Sequence, residues 1–333
     1  MPSARYDVLG IGNAIVDVIA RAEEDFLLKQ GMRKGTMALI DEARAKAIYD
    51  AMGSAVEMSG GSAANTIVGV AGLGARAAFI GKVKDDGLGR AYTHDIRAAG
   101  VTFVTQAASG GPSTGRCYVL VTPDGERTMN TYLGAAQDLH PADIDADTVA
   151  ASLITYLEGY LWDPKDAKDA FLKAAQIAHQ AGRKVALTLS DAFCVDRWRD
   201  EFLNLMRSGT VDLIFANEAE LHSLYQTAEF DAAVAAVRTD IGIAVVTRSE
   251  KGCLVIGADG TEAVQAFPVE RVVDTTGAGD LFAAGFLSGL ARGADDRTCG
   301  RLGALCAAEV IQHLGARPET SLKELARDNG LAD

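Results

Sequence analysis

The chain has 333 residues, 48% hydrophobic and 23% charged, so it can bury a large core and is too apolar for an unfolded chain. A formal net charge of −13 leaves no basic excess for non-specific nucleic-acid binding, while a site for a small phosphorylated ligand needs only local amides and a few cations. Cys117, Cys194, Cys253, Cys299 and Cys306 form no C-x-x-C pair and the five histidines are scattered, which argues against a zinc site; Asn13 and Asp17 interrupt the N-terminal apolar stretch and no apolar run reaches roughly 18 residues, so a cytoplasmic protein without a membrane span is expected.

A first strand is expected at Tyr6–Gly12. It ends in Gly10-Ile11-Gly12-Asn13-Ala14-Ile15, which starts like a dinucleotide fingerprint but has Ile15 where the third small residue belongs, against a nicotinamide cofactor. Asp17 lies in an apolar stretch, where a carboxylate either caps something or holds a ligand hydroxyl. Thr36–Ile40 and Ala55–Met58 are short apolar stretches that break the later alternation of strand and helix. Ser59-Gly60-Gly61-Ser62-Ala63-Ala64-Asn65 opens a helix over Ala63–Leu73; backbone can approach a ligand here and Asn65 can both donate and accept, although Gly-Gly also suits a plain loop and Ser62 a cap.

A strand at Ala77–Ile80 leads through Gly81–Gly89 into a helix over Gly87–Ala99. No G-x-x-x-x-G-K-[ST] occurs, so phosphate is not held by a P-loop. Gly115–Thr122 and Glu126–Tyr132, joined by Pro123-Asp124-Gly125, predict an antiparallel hairpin; with Thr36–Ile40 and Ala55–Met58 it reads as a small β-rich flap. Strands at Leu153–Leu157, Lys184–Leu189, Asp212–Ala216 and Ile243–Thr247 then alternate with helices at Pro164–Ala181, Val195–Met206 and Phe230–Thr239. That alternation predicts a parallel sheet covered by helices on both faces. Asn217 and Glu220 follow one strand on the first turn of a helix. They form a cap or, aimed at a cleft, a pair that organises Mg²⁺ through water. Thr276–Arg292, Arg297–His313 and Ser321–Asn329 predict three closing helices.

The most telling stretch is Arg271-Val272-Val273-Asp274-Thr275-Thr276-Gly277-Ala278-Gly279-Asp280. Small residues bring amides close to an anion at the positive end of a helix, and a carboxylate follows. The arrangement suits phosphoryl transfer to a hydroxyl, with Asp280 taking the proton. It also suits a tight strand-to-helix turn with Asp280 as a first-turn acid.

Taken in order, these pieces resemble the ribokinase-like, or PfkB, carbohydrate kinases over about Asp7–Gly315. Asp274–Asp280, Gly60-Gly61 and Asn217–Glu220 carry the resemblance. Within that family the chain is most similar to the adenosine kinase branch, on Gly12-Asn13 with Asp17, Gly115–Ala135, Tyr156-Leu157-Glu158-Gly159-Tyr160 and Leu187–Phe193. The resemblance implies a three-layer α/β/α domain with a central mostly parallel sheet, formed by residues 1–12, 60–100 and 136–333, and a small β-sheet lid formed by residues 13–59 and 101–135. It implies ATP- and Mg²⁺-dependent phosphorylation of the primary hydroxyl of a ribose-containing acceptor, adenosine first. Ribose, fructose, inosine or guanosine is the alternative acceptor, and a non-catalytic nucleotide-binding protein the more distant reading. The flap segments carry no obvious basic cluster for a phosphorylated sugar.

By the same resemblance Asp280 is the base, and the amides of Gly277, Ala278 and Gly279 hold the γ-phosphate. Asn13, Asp17, Gly60, Gly61 and Asn65 serve the sugar. Tyr160 stacks on the base, with Ile15, Met37 and Leu133 on the lid side. Asn217 and Glu220 organise Mg²⁺ and phosphates, and Thr247, Gly252 and Thr275 contact ATP. Asp274 and Thr276 lie where relatives often bind a monovalent cation such as K⁺. Ser249 departs from the glycine that many relatives carry in this region. The implied partner is a small nucleoside or sugar, with neither nucleic acid nor membrane, on a monomer or a homodimer joined through the lid.

Overall fold

Strands covered on both faces must be apolar along their length, and Val8–Ile11, Ala77–Ile80 and Ala244–Val246 are buried throughout. The structure, a computed structural model, describes residues 4–257 and 260–332. Its strands, numbered in chain order, are β1 (Tyr6–Ile11), β2 (Ile15–Arg21), β3 (Met37–Leu39), β4 (Ala55–Gly60), β5 (Ala77–Ile80), β6 (Thr102–Phe103), β7 (Gly115–Val121), β8 (Arg127–Tyr132), β9 (Ser152–Glu158), β10 (Lys184–Thr188), β11 (Leu213–Asn217), β12 (Ile243–Thr247), β13 (Cys253–Gly257) and β14 (Gly260–Val264). The large sheet has the order β14-β13-β12-β11-β10-β9-β1-β5-β6. It is parallel from β12 to β6, and β13 and β14 extend it with antiparallel pairs.

Alternate residues along these strands feed opposite faces. Val8, Phe79, Tyr156, Phe215 and Val245 pack with the helices Ser62–Gly72, Ala278–Ala291 and Asp296–Val310. Leu9, Ile80, Leu157, Ile214 and Val246 pack with the helices Lys165–Gln180 and Ala192–Arg207. The result is the three-layer α/β/α arrangement that the sequence implies.

The second sheet has the order β3-β8-β7-β2-β4. Asp17, Cys117 and Thr131 stand side by side across it, because Asp17 is in register with Cys117 and Cys117 with Thr131. On the other face, Val18 and Tyr118 pack with Ala45 and Ile48 of the helix Glu42–Ala51.

Several elements differ from the sequence expectation. Strand β3 covers only Met37–Leu39 of the expected Thr36–Ile40 and β4 runs past Met58 to Gly60; the two form opposite edges of the small sheet. Thr102–Phe103, expected in the second lid segment, instead pairs with β5 in the large sheet. Strand β2 and the hairpin β13–β14 were not expected. The helix expected from Thr276 starts at Ala278, because Gly277 takes a left-handed φ of 79°.

Candidate active site

The loop before the helix Ala278–Ala291 turns on Gly277, where a Cβ would meet the Cβ of Ala316 at 2.7 Å and φ is positive, so only glycine fits. The turn sets Asp280 on the first helical turn. Its Oδ1 accepts from Ser62 Oγ at 2.6 Å and its Oδ2 from Asn65 Nδ2 at 3.0 Å. Burial pushes this carboxyl up to about 6, against the pull of Ser62, Asn65 and Arg317. A group so tuned is ionised at neutral pH yet basic enough to take a proton. The first amides of a helix have no intrahelical acceptor and carry its positive end. Gly277 and Gly279 line the cleft, but Ala278 does not, and its N–H donates to Thr275 O at 3.2 Å. Of the three residues whose amides are expected to face an anion, two line the cleft.

Opposite Asp280, at the end of β9, Glu158 is 1% exposed. Its Oε1 accepts from Asn13 Nδ2 at 2.6 Å, and its Oε2 accepts from the backbone N–H groups of Ala63 at 2.9 Å and Asn13 at 3.3 Å. Burial raises its carboxyl to about 7, against these hydrogen bonds. Gly12 makes room for it, since a Cβ there would strike the carboxylate. The amide of Asn13 is thereby fixed, and its Oδ1 is buried without a partner, as is Oδ1 of Asn65. Two oriented acceptors without protein donors mark a place for ligand hydroxyls. Asp17 is raised to about 6 by burial and further by Asp280, with Arg317 and Arg127 pulling the other way. Gly60 does not line the cleft; it lies against Asp17, whose carboxylate a Cβ would strike. Gly61 lines the cleft with φ 99°, and a Cβ there would meet Asn13 O.

One wall is apolar. Ile15, Met37 and Leu133 line it as expected, joined by Ile19, Leu39, Met129 and Phe193. Tyr160 is pinned by Ser190, its N–H donating to Ser190 Oγ at 3.0 Å and its hydroxyl to Ser190 O at 3.2 Å. At the far end stand Thr247, Thr275, Thr276 and the pair Asn217–Glu220. Asn217 N–H donates to Glu220 Oε2 at 3.0 Å and Glu220 N–H to Asn217 Oδ1 at 2.9 Å, a reciprocal helix cap that faces the cleft. Burial raises the Glu220 carboxyl to about 7.

Besides Ala278 and Gly60, two further expected residues, Gly252 and Asp274, lie outside the cleft. Gly252 takes φ 83° against Val264 O, so its role is to permit a backbone turn. Asp274 is buried; it pairs with Arg127 Nη2 at 2.6 Å and accepts from the N–H groups of Thr276 at 3.0 Å and Gly315 at 2.9 Å. With both oxygens engaged and a guanidinium alongside, Asp274 is a poor fit for a monovalent cation. The sequence assigns no role to Glu158, Arg127, Phe193 or Arg317, and to Ser62 only that of a cap. Nor does it reveal the cation that the flap contributes, Arg127 on β8.

The cleft, about 520 Å³, opens at the C-terminal ends of β1, β9, β10, β11 and β12, where open α/β sheets bind ligands. A glycine turn before a helix and a carboxylate on its first turn, at the edge of a parallel sheet and without a P-loop, define a phosphotransferase class. A model of the pfkB family of carbohydrate kinases matches residues 37–322. The chain belongs to this family and is a kinase. It is similar to the adenosine kinase of Sinorhizobium meliloti, with 55% identity and a TM-score of 0.92 over 98% of this chain and 100% of that one. It is also similar to a probable sugar kinase of Rhizobium etli CFN 42, with 53% identity and a TM-score of 0.93 over 98% and 99%. The adenosine kinase of Saccharomyces cerevisiae is 29% identical over 331 residues, 92% of this chain and 94% of that one.

Proposed function

We propose that the chain transfers the γ-phosphoryl group of ATP to the 5'-hydroxyl of adenosine, giving AMP and ADP. The observation that carries this reading is the convergence of Asp280, the Gly277–Gly279 turn and the unpartnered oxygens of Asn13 and Asn65 in one cleft. The acceptor ribose binds through Asn13, Asp17 and Asn65, with its 5'-oxygen toward Asp280. Asp280 takes the hydroxyl proton as that oxygen bonds to the γ-phosphorus and the bond to ADP breaks. The amides of Gly277 and Gly279 and the positive helix end meet the charge on the moving phosphoryl group. Tyr160 and the apolar wall take the purine. The small sheet closes over the acceptor and keeps water from competing for the phosphoryl group.

Asn217 and Glu220 both line the cleft; the Glu220 oxygens each accept from Asn217, but no cation among the described residues pairs with them, which leaves their remaining lone pairs to meet the water shell of a Mg²⁺ ion. Bound there, Mg²⁺ would neutralise phosphate charge. The cleft arginines Arg127 and Arg197 pair with Asp274 and Asp163. That pairing favours an uncharged acceptor over a phosphorylated sugar.

The test is ADP release over adenosine, inosine, guanosine, ribose and fructose, with and without K⁺. Adenosine is expected to give the highest kcat/KM, unchanged by K⁺. A higher value on a free sugar would replace this acceptor with a sugar.

A further inference from the structure

Arg317 follows Gly315, whose N–H holds Asp274, and Ala316, which packs against Gly277. Its Nη2 donates to Ser59 O at 2.6 Å and to Ser59 Oγ at 3.0 Å. Ser59 is itself held, its N–H and hydroxyl donating to Asp95 Oδ2 at 2.8 and 2.5 Å. Ser59 precedes Gly60, the residue that lies against Asp17. The other terminal nitrogen, Nη1, is buried with no partner.

We propose that Arg317 is a positioning residue for phosphoryl transfer: its buried guanidinium moors β4 to the loop Asp274–Asp280 and is the shared counter-charge of the cleft carboxylates Asp17 and Asp280. The proposal rests on the reading of Asp280 as the base. Two carboxylates in one low-dielectric cleft resist being ionised together unless a fixed cation offsets them. The carboxylates whose charge Arg317 meets are Asp17, Asp95 and Asp280; Tyr92 also lies near, its hydroxyl kept neutral by burial. Asp17 also meets Arg127, and Asp280 also meets Ser62 and Asn65. The fields of these two carboxylates reach Cys117, Tyr156, Glu158 and Tyr160. Arginine suits the task because its planar fork bonds Ser59 with one terminal nitrogen while the other, buried without a partner, keeps the charge fixed in place.

The test compares wild type, Arg317→Lys and Arg317→Gln by pH profiles of kcat/KM and by urea unfolding. The acidic limb of Arg317→Gln is expected to move up by about one pH unit, cutting activity at pH ~6 about fivefold while leaving it within about threefold at pH ~8.5. Arg317→Lys is expected to lie between the two. A loss uniform across pH would overturn the proposal. In urea, the deficit of Arg317→Gln is expected to be larger at pH ~8, where both carboxylates are charged, than at pH ~5.5, and equal deficits would overturn it. The urea comparison decides the matter even if wild type phosphorylates no nucleoside, a result that would sink the proposed activity instead. If Arg317→Gln does not fold, recovery of folding by adding Asp17→Asn supports the proposal and failure to recover overturns it.

Discussion

Asp280 takes its hydrogen bonds from two neutral donors, Ser62 and Asn65, and its basicity from burial. Asp280→Asn keeps the shape and removes the base, so kcat should fall by about a thousandfold or more with ATP affinity within a few-fold. Steady-state kinetics and nucleotide titration check this, and near-normal turnover would refute the assignment. Because the base must be unprotonated, kcat/KM of the wild type should fall as pH drops through about 6. Glu158 works one step back, by fixing Asn13. Glu158→Gln turns one acceptor into a donor facing other donors, so the acceptor KM should rise about tenfold while that for ATP stays unchanged, a loss on the order of 1 kcal/mol. The place of Asp280 at the cleft was legible because the glycine turn and the carboxylate lie in one contiguous stretch. Glu158 was not, because an acid closing an apolar strand shows its purpose only once Asn13 and Ala63 are brought to it by the fold.

At the scale of elements, the parallel strands were legible because burial on both faces forces unbroken apolar runs, as at Ala77–Ile80. The small sheet was legible in the membership of β3 and β4 and in its β7–β8 hairpin, where the turn residues Pro123-Asp124-Gly125 announce the pairing. Strands β3 and β4 find partners in β8 and β2, and no local signal encodes those pairings. One tie between this sheet and the loop Asp274–Asp280 is the buried pair Arg127–Asp274, whose side chains are 8% and 5% exposed. Removing one partner strands the other charge, so Arg127→Met should destabilise by about 3–5 kcal/mol. Asp274→Asn should cost a similar amount, because the Thr276 and Gly315 amides lose a charged acceptor as well. The double variant should cost clearly less than the two single costs together. Urea unfolding of the four proteins checks this, and strict additivity would show that the pair is not coupled.

The molecule as a whole concentrates strained ionisation in its cleft. Asp17 and Asp280 are raised to about 6, and Glu158 and Glu220 to about 7, with burial the first cause in each case. The large fold that buries them was legible from period and alternation, but the burial of these four acids was not, since each also reads as a cap or a surface charge. Their effect on stability has a definite sign. A carboxyl whose pKa is higher folded than unfolded binds its proton more tightly in the native state. It therefore favours folding at low pH and loses that contribution as pH rises through 6 to 7. Carboxyls held below their ordinary range, Asp86 by its hydrogen bonds to Thr114 and Gly89 and Asp145 by those to Thr148, act the other way, but only below about pH 4. Stability should therefore peak at pH ~4 and fall by a few kcal/mol towards pH ~8, opposite to a protein whose acids are all paired. Urea midpoints at half-unit intervals measure this. Glu158→Gln should flatten the slope between pH ~6 and ~8, because it removes one of the four groups that produce it. A profile that rises steadily to pH ~8 would mean that the cleft acids are solvated or paired, and would undercut the tuning of Asp280 on which the catalytic reading depends.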